Sequence, residues 1–360
     1  MLVASPAPRA AALPREPVLA LEYVLPLRWG DDVGPSAAVE LAAYLERLVD
    51  RLDVTVVDGS APAVRARHRA LFPSGVRHVV PGPWPGRNGK VAGVMTGVAL
   101  ARHEHVVIAD DDVRWDLPGL ERLDGLLAAA ALVRPQNVFA ARPWHARWDT
   151  ARSLLNRALG ADYPGTYGLR RSALLDAGGY DGDVLFENLE MARTLRAAGE
   201  RELRVADLYV ERLPPSAGHF LRQRVRQAYD DLAQPPRLVV EAAVAPLAVL
   251  LAGLAARPGG WWARGALVLL AAGPVALAEL GRRRRGGAAV YPRTAALWAP
   301  LWLGERAVCV WVALGHRLRG GTPYAGERLL VAAHSVRALR RHRRPPVRPA
   351  RTTAGAAARV

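Results

Sequence analysis

His105-Val-Val-Ile-Ala-Asp-Asp-Asp-Val113 is the stretch on which the reading of the fold turns. An apolar, β-branched run with the character of a buried strand passes straight into three acids. Carboxylates crowded at a strand end repel one another unless a cation or hydrogen-bond donors hold them, which makes a metal site an economical explanation. Asp110 and Asp112 stand two apart at the C-terminal edge of such a strand, the edge at which open α/β sheets take their ligands. The competing reading is a capping turn before a helix expected over Leu117–Ala130, where acids are common.

Outward from that stretch, short apolar runs alternate with helical stretches from about residue 19 to 210, the appearance of βα units on a largely parallel sheet. The runs are Leu19–Leu27, Val54–Val57, Val76–Val80, His105–Ala109 and Val138–Ala141. Helices are expected over Ser36–Leu52 and, after a Gly-rich turn, over Val91–Arg102. Val54-Thr-Val-Val-Asp-Gly-Ser60 is a second strand ending in an acid, suited to a ribose or a base. Asn88-Gly-Lys90 opens the helix before the acidic strand. Lys90 is the only lysine among 49 basic residues, and a compact point charge at a Gly turn suits phosphate contact. Farther on, Gly178-Gly-Tyr-Asp181 leads to Leu185-Phe-Glu-Asn-Leu-Glu-Met191. A helix expected over Ser216–Ala233 carries Gln223 and Arg226 at i, i+3, so the two share a face.

Composition sets the outer bounds. The chain has 360 residues, 51% hydrophobic and 23% charged, which excludes a wholly disordered or fibrous protein. Cys309 is the single cysteine, so an intramolecular disulfide and a cysteine-rich zinc module are both excluded. The formal net charge is +16, yet residues 315–360 hold eleven Arg against one Glu and residues 281–294 hold five Arg, leaving the first 280 residues nearly neutral. A nucleic-acid reader spreads basic residues over its folded recognition surface. Here they flank apolar segments, which points to anionic membrane lipid rather than nucleic acid.

Residues 1–18 lack the apolar core of a signal peptide and read as a disordered leader. Residues 19–237 read as one α/β domain. Leu238–Ala256 and Trp261–Leu280 are each about a bilayer core in length, and Arg257-Pro-Gly-Gly260 joins them into a hairpin over 238–280, with Trp261 and Trp262 as interfacial anchors. A buried helical hairpin in a soluble domain is the alternative. In the 281–345 region, Ala295–Leu314 carries Glu305-Arg306 at its middle, where a spanning helix incurs about 2.5–3.5 kcal/mol per charge. An amphipathic helix lying in the inner interface is therefore expected, with a disordered tail at 346–360. The Arg282–Arg285 run places the hairpin's ends in the cytoplasm.

Taken in order, these pieces over residues about 19–234 resemble the family 2 glycosyltransferases with the GT-A fold, and the tail resembles their membrane-bound, ceramide-glucosyltransferase-like branch. The resemblance implies an α/β fold, a GT-A nucleotide-sugar-binding domain with a Rossmann-like mixed sheet, followed by C-terminal membrane helices; it extends the interfacial segment through Gly320-Gly-Thr-Pro-Tyr-Ala-Gly326. It implies that Asp58 contacts the donor nucleotide, that Lys90 lies near its diphosphate, and that Asp110-Asp111-Asp112 matches the Asp-x-Asp motif. Asp110 and Asp112 would then hold Mg²⁺ or Mn²⁺, with Asp110 and Asp111 also facing the donor. Gln223 and Arg226 match Gln-x-x-Arg-Trp except that Gln227 replaces Trp. The implied reaction is inverting hexosyl transfer from a nucleotide-sugar, a UDP-sugar being the first expectation, to a lipid or lipid-linked acceptor. A multi-pass protein of the cell membrane with its catalytic domain on the cytoplasmic side is implied as well.

One departure stands out. The family's Glu-Asp pair, whose Asp is the general base, is here Glu187-Asn188, and an amide cannot accept a proton at neutral pH. Glu187 is the expected substitute, with Glu190 one helical turn on. A nucleotidyltransferase and a catalytically inactive membrane-surface protein of the same fold are the other readings.

Overall fold

The computed structural model describes residues 19–30, 33–160 and 162–348; the expected leader 1–18 and the tail from 349 onward lie outside the described residues. Eight strands form the main sheet: β1 (Leu21–Leu27), β2 (Asp53–Asp58), β3 (Val76–Val79), β4 (His105–Ala109), β5 (Val113–Arg114), β6 (Leu132–Phe139), β7 (Thr166–Arg170) and β8 (Glu202–Arg212). Their order is β3-β2-β1-β4-β7-β6-β8-β5. β1 to β4 are mutually parallel, β7 is antiparallel to β4 and β6, β8 is parallel to β6, and β5 returns antiparallel to β8. The sheet is thus mixed, as the resemblance implies, and less parallel than the alternation of runs suggested.

Strand alternation buries both faces. Leu21, Tyr23 and Leu25 point into one core with Leu41, Leu45, Leu120 and Leu123. Val24 points into the other with Val91, Val94 and Val98 of the helix Gly89–Leu100. That helix sits very close to β1. A Cβ on Gly97 would stand 2.2 Å from a Val24 methyl carbon, so the bare glycine face sets the spacing. The close packing fixes the helix N-terminus, with Lys90, beside the C-terminal end of β4.

Three helices, Pro235–Ala255, Trp261–Val290 and Ala295–Leu318, are long and apolar enough to cross a membrane. Their bases dock on the α/β domain through the helix Trp144–Leu159. Arg237 bonds Asn156 (2.9 Å), Asp231 (3.1 Å) and Glu241 (2.8 Å). Arg157 donates to the Gly281 carbonyl at 3.2 Å, and a Cβ on Gly281 would meet the Leu154 carbonyl at 1.9 Å. In the third helix the mid-helix charges point inward: Arg306, 1% exposed, pairs with Asp231 at 3.2 Å, and Glu305 lies 3.6 Å from Arg224. Leu301, Val308, Trp311 and Val312 form its exposed apolar face.

Beyond this helix the chain departs from expectation. A hairpin of β9 (Thr322–Tyr324) and β10 (Glu327–Leu329) folds back over the cleft at the end of β4, and Leu185 and Phe186 donate to the carbonyls of Val331 and Ala332 at 3.0 and 2.8 Å. Gly320–Gly326, expected in an interfacial segment, therefore helps wall the α/β domain, which draws on chain well past residue 237.

Candidate active site

Asn88 is the N-cap of the Gly89–Leu100 helix. Its Oδ1 accepts from the Lys90 backbone N–H at 3.1 Å, while its side-chain amide donates to the Val184 carbonyl at 2.9 Å. Lys90 is thereby aimed into the cleft, where Nζ lies 2.5 Å from Asp110 Oδ1 and 2.6 Å from Glu187 Oε1. Burial works against its charge, but the two carboxylates outweigh it and hold the ammonium well above the ordinary lysine range. Asp110 is fixed in turn by its own N–H to the Gly165 carbonyl at 2.8 Å.

Asp111 accepts from the Trp29 indole N–H. Asp112 pairs through Oδ2 with Arg212 Nε at 2.6 Å, while Oδ1 is buried and has no hydrogen-bond partner among the described residues. Burial pushes the Asp112 carboxyl up; Arg212 opposes this, and the charges of Asp110 and Asp111 add to it. A cavity of about 70 Å³ beside it is lined by Asp112, Arg212, His219 and Gln223, and Gln223 Nε2 lies 2.6 Å from His219 Nε2. An orphaned buried carboxylate oxygen, two residues from a second carboxylate, suits a hard divalent cation that takes oxygen ligands. The fit to Mg²⁺ or Mn²⁺ is chemically sound. Among the described residues, Glu22, Asp53 and His103 also bring three ligand-type atoms together, at the opposite edge of the sheet. There Glu22 already accepts from Thr55 at 2.5 Å and from the Arg102 N–H at 3.0 Å, and His103 lies 2.8 Å from Asp53.

The expected helix over Ser216–Ala233 is broken at Gln223 into Ala217–Arg222 and Arg224–Asp230, followed by a 3₁₀ turn at Asp231–Ala233. Arg226 stacks on the Tyr324 ring at 5.1 Å, and Tyr324 donates its hydroxyl to Asn88 Oδ1 at 3.0 Å. The β9–β10 hairpin thus ties Arg226 to the Lys90 turn. Gln223 faces the Asp112 cavity.

The remaining expected residues are placed differently. Asp58 is 0% exposed: Oδ1 accepts from the Ser60 N–H at 2.9 Å, and Oδ2 lies 2.7 Å from His68 Nδ1 and 3.0 Å from His78 Nε2. Burial raises its pKa, but the bonds from His78, Ser60 and His68 outweigh that and hold the carboxyl well below the usual range. Its connection to the acidic triplet runs through Trp29, whose ring packs edge-on to His68 at 5.3 Å. Asn188 sits beside the Pro164 carbonyl. Glu190 is fully buried and accepts from the His334 backbone N–H at 2.7 Å and lies 2.9 Å from its Nδ1, so it anchors the C-terminal segment.

Sequence reasoning missed Trp29, Arg212 and Tyr324. Arg212 is one of 48 arginines and carried no distinguishing signal. Tyr324, in a Gly-Thr-Pro-Tyr-Ala-Gly turn, did stand out locally, but the partner that gives it meaning is far away in sequence.

No protein-family model and no curated protein matches the chain. Among solved structures, the chain is similar to a mannosyltransferase from Pyrobaculum calidifontis in complex with GDP-Man and Mn²⁺, at 17% identity and a TM-score of 0.43, over 81% of this chain and 87% of that one. It is also similar to a mycobacterial protein at 20% identity and 0.38, over 58% and 72%, and to a glucosyl-3-phosphoglycerate synthase from M. tuberculosis at 22% and 0.37, over 56% and 74%.

Proposed function

We propose that the protein is an inverting glycosyltransferase that moves a hexosyl group from a nucleotide-diphosphate sugar to a lipid or lipid-linked hydroxyl at the membrane surface. The observation that carries this reading is the single lysine clamped between Asp110 and Glu187 at the end of β4, with Asp112, two residues after Asp110, holding a buried carboxylate oxygen that has no partner among the described residues. Cations and carboxylates poised at one sheet edge suit a ligand that brings both a polyphosphate and its metal.

Asp110 and Asp112 would hold Mg²⁺ or Mn²⁺, which when bound offsets the negative charge of the donor diphosphate. Lys90 and Arg226 supply fixed positive charge to the departing nucleoside diphosphate, and Tyr324 keeps Arg226 facing that position. Gln223 lines the cavity beside Asp112, where it can bond the donor. Asp58, bound by three donors of its own chain, acts on the nucleotide pocket by fixing Ser60, His68 and His78 and, through the His68 ring, Trp29.

The position of the apolar helices supports the lipid class of acceptor. The hairpin helices dock on the helix Trp144–Leu159 and on the third helix, and the third helix packs on the helix Arg224–Asp230 with its charges inward and its apolar face out. This arrangement suits a helix resting in the cytoplasmic leaflet beside anionic lipid, while the 261–262 tryptophans, exposed at the hairpin tip, suit the far interface. The test uses the full chain in phosphatidylcholine–phosphatidylglycerol vesicles containing a polyprenyl phosphate. With Mn²⁺ and UDP-glucose or GDP-mannose, nucleoside diphosphate release and a glycosylated lipid are expected; neither product with either donor refutes the proposal.

A further inference from the structure

An inverting displacement needs a group to take the acceptor's proton, and the candidates at positions 187–190 are poorly free to do so. Asn188 is an amide, Glu190 is spent on His334, and Glu187 is held 2.6 Å from the Lys90 ammonium. Protonating Glu187 would discharge half of the clamp that orients Lys90.

A different carboxylate has a free oxygen among the described residues. Asp230 ends the helix Arg224–Asp230 and lies four residues after Arg226, so the two share one helix face. Its Oδ1 is buried and has no hydrogen-bond partner among the described residues. Its neighbour Asp231 turns the other way, pairing with Arg306 and Arg237 at the base of the apolar helices. Its helix packs on the third apolar helix and carries Arg226, which stacks on Tyr324 of the hairpin at the cleft, so Asp230 stands between the cleft and that helix, the side from which a lipid hydroxyl would arrive. The charges that act on it are Arg226 and Asp231 on its own segment, Glu187 across the cleft and Arg306 on the third apolar helix.

We propose that Asp230 is the general base of the transfer, taking the role that Asn188 cannot fill. This rests on the transferase reading above. The acceptor oxygen forms its bond to the anomeric carbon as its O–H proton passes to the Asp230 carboxylate. The bond from the anomeric carbon to the diphosphate breaks with its electron pair staying on the nucleoside diphosphate, and Asp230 afterwards releases the proton to water. Burial, opposed by Arg226 and reinforced by Asp231 and Glu187, pushes the Asp230 carboxyl up to about 8. A base must be ionised to act, so kcat/KM should rise with pH through that region and level off above it.

The experiment measures nucleoside diphosphate release by the full chain in the vesicle assay, with thermal melts and Mn²⁺-supported binding of the nucleoside diphosphate on the same preparations. Asp230→Asn should lower kcat by about 10²–10⁴, the usual cost of losing a general base, with binding unchanged. Its melting temperature should stay the same or rise, because a buried carboxylate without a partner is costly to keep. A merely structural role would lower it. Adding Asn188→Asp to Asp230→Asn should restore at least tenfold of the lost rate, and Asp230→Glu should keep the rise of kcat/KM with pH. Turnover by Asp230→Asn within threefold of wild type overturns the base assignment and leaves the transferase intact. Absence of turnover in the wild-type chain with either donor overturns both.

Discussion

Gly165→Ala is a one-methyl change that tests how the acidic triplet is held. The carbonyl of Gly165 accepts from the Asp110 N–H, and a Cβ at this position would stand 2.5 Å from Asp110 Oδ2 and 3.1 Å from its Cγ. Comfortable contact needs roughly 3.5 Å, so the carboxylate must retreat by about 1 Å. Gly165 is not among the residues with positive φ, so the backbone accepts alanine and only the contact is at stake. A shift of that size takes Asp110 Oδ1 from 2.5 Å to about 3.5 Å from Lys90 Nζ, the edge of hydrogen bonding. Losing a hydrogen bond to a charged group costs about 1.5–3 kcal/mol, or roughly 10- to 150-fold in kcat/KM if the bond orients the donor. The assay is Mn²⁺-supported nucleoside diphosphate release by the full chain, with Gly125→Ala as control. Gly125 is an exposed helix position with nothing within 4 Å of a new Cβ, so that change should leave kcat/KM alone and stabilise by about 0.5–1 kcal/mol. Wild-type kcat/KM in Gly165→Ala would refute the positioning argument.

Other expectations concern the packing around the cleft. Arg306→Met removes one partner of a buried ion pair and should destabilise the chain by about 3–5 kcal/mol, toward the lower figure because Arg237 still reaches Asp231 at 3.1 Å; a denaturant midpoint unchanged from wild type counts against the inward docking of the third helix. Asp58 has a folded-state pKa below its unfolded value of about 3.9, so its contribution is present above that pH and fades as the pH falls below it. The melting-temperature gap between wild type and Asp58→Asn should accordingly be widest at pH 7 and begin to narrow near pH 3, most of it surviving there because the folded-state pKa lies lower still, and a gap that does not narrow at all contradicts the arrangement. In a background with Cys309→Ala, Arg257→Cys should be labelled from outside intact cells and Leu330→Cys only after permeabilisation; external labelling at 330 overturns the sidedness.

What was legible in the sequence was what local pattern controls. β1, β2 and β4 show as apolar runs because both their faces are buried, β3 shows only through its valines at the half-buried sheet edge, and the acids at the end of β4 with the lone lysine before it stand out against an arginine-rich background. β7 and β8 did not show. Thr166–Arg170 is short, and Glu202–Arg212 is half-buried and charged along much of its length, so neither carries an apolar run. β6 was read only at its end, because Arg134, Pro135 and Gln136 interrupt it with buried polar groups and a bulge. The break at Gln223 leaves no proline or glycine behind it. The roles of Tyr324 and Asp230 depend on which distant elements meet at the cleft, and no spacing along the chain encodes that.

The most direct test of the central claim is titration of the detergent-solubilised full chain with GDP or UDP, with and without Mn²⁺, for wild type and Asp112→Asn. At least one nucleotide should bind saturably, Mn²⁺ should strengthen that binding by tenfold or more in wild type, and Asp112→Asn should render it insensitive to the metal. Binding of neither nucleotide, or binding that Mn²⁺ leaves unchanged in wild type, would contradict it.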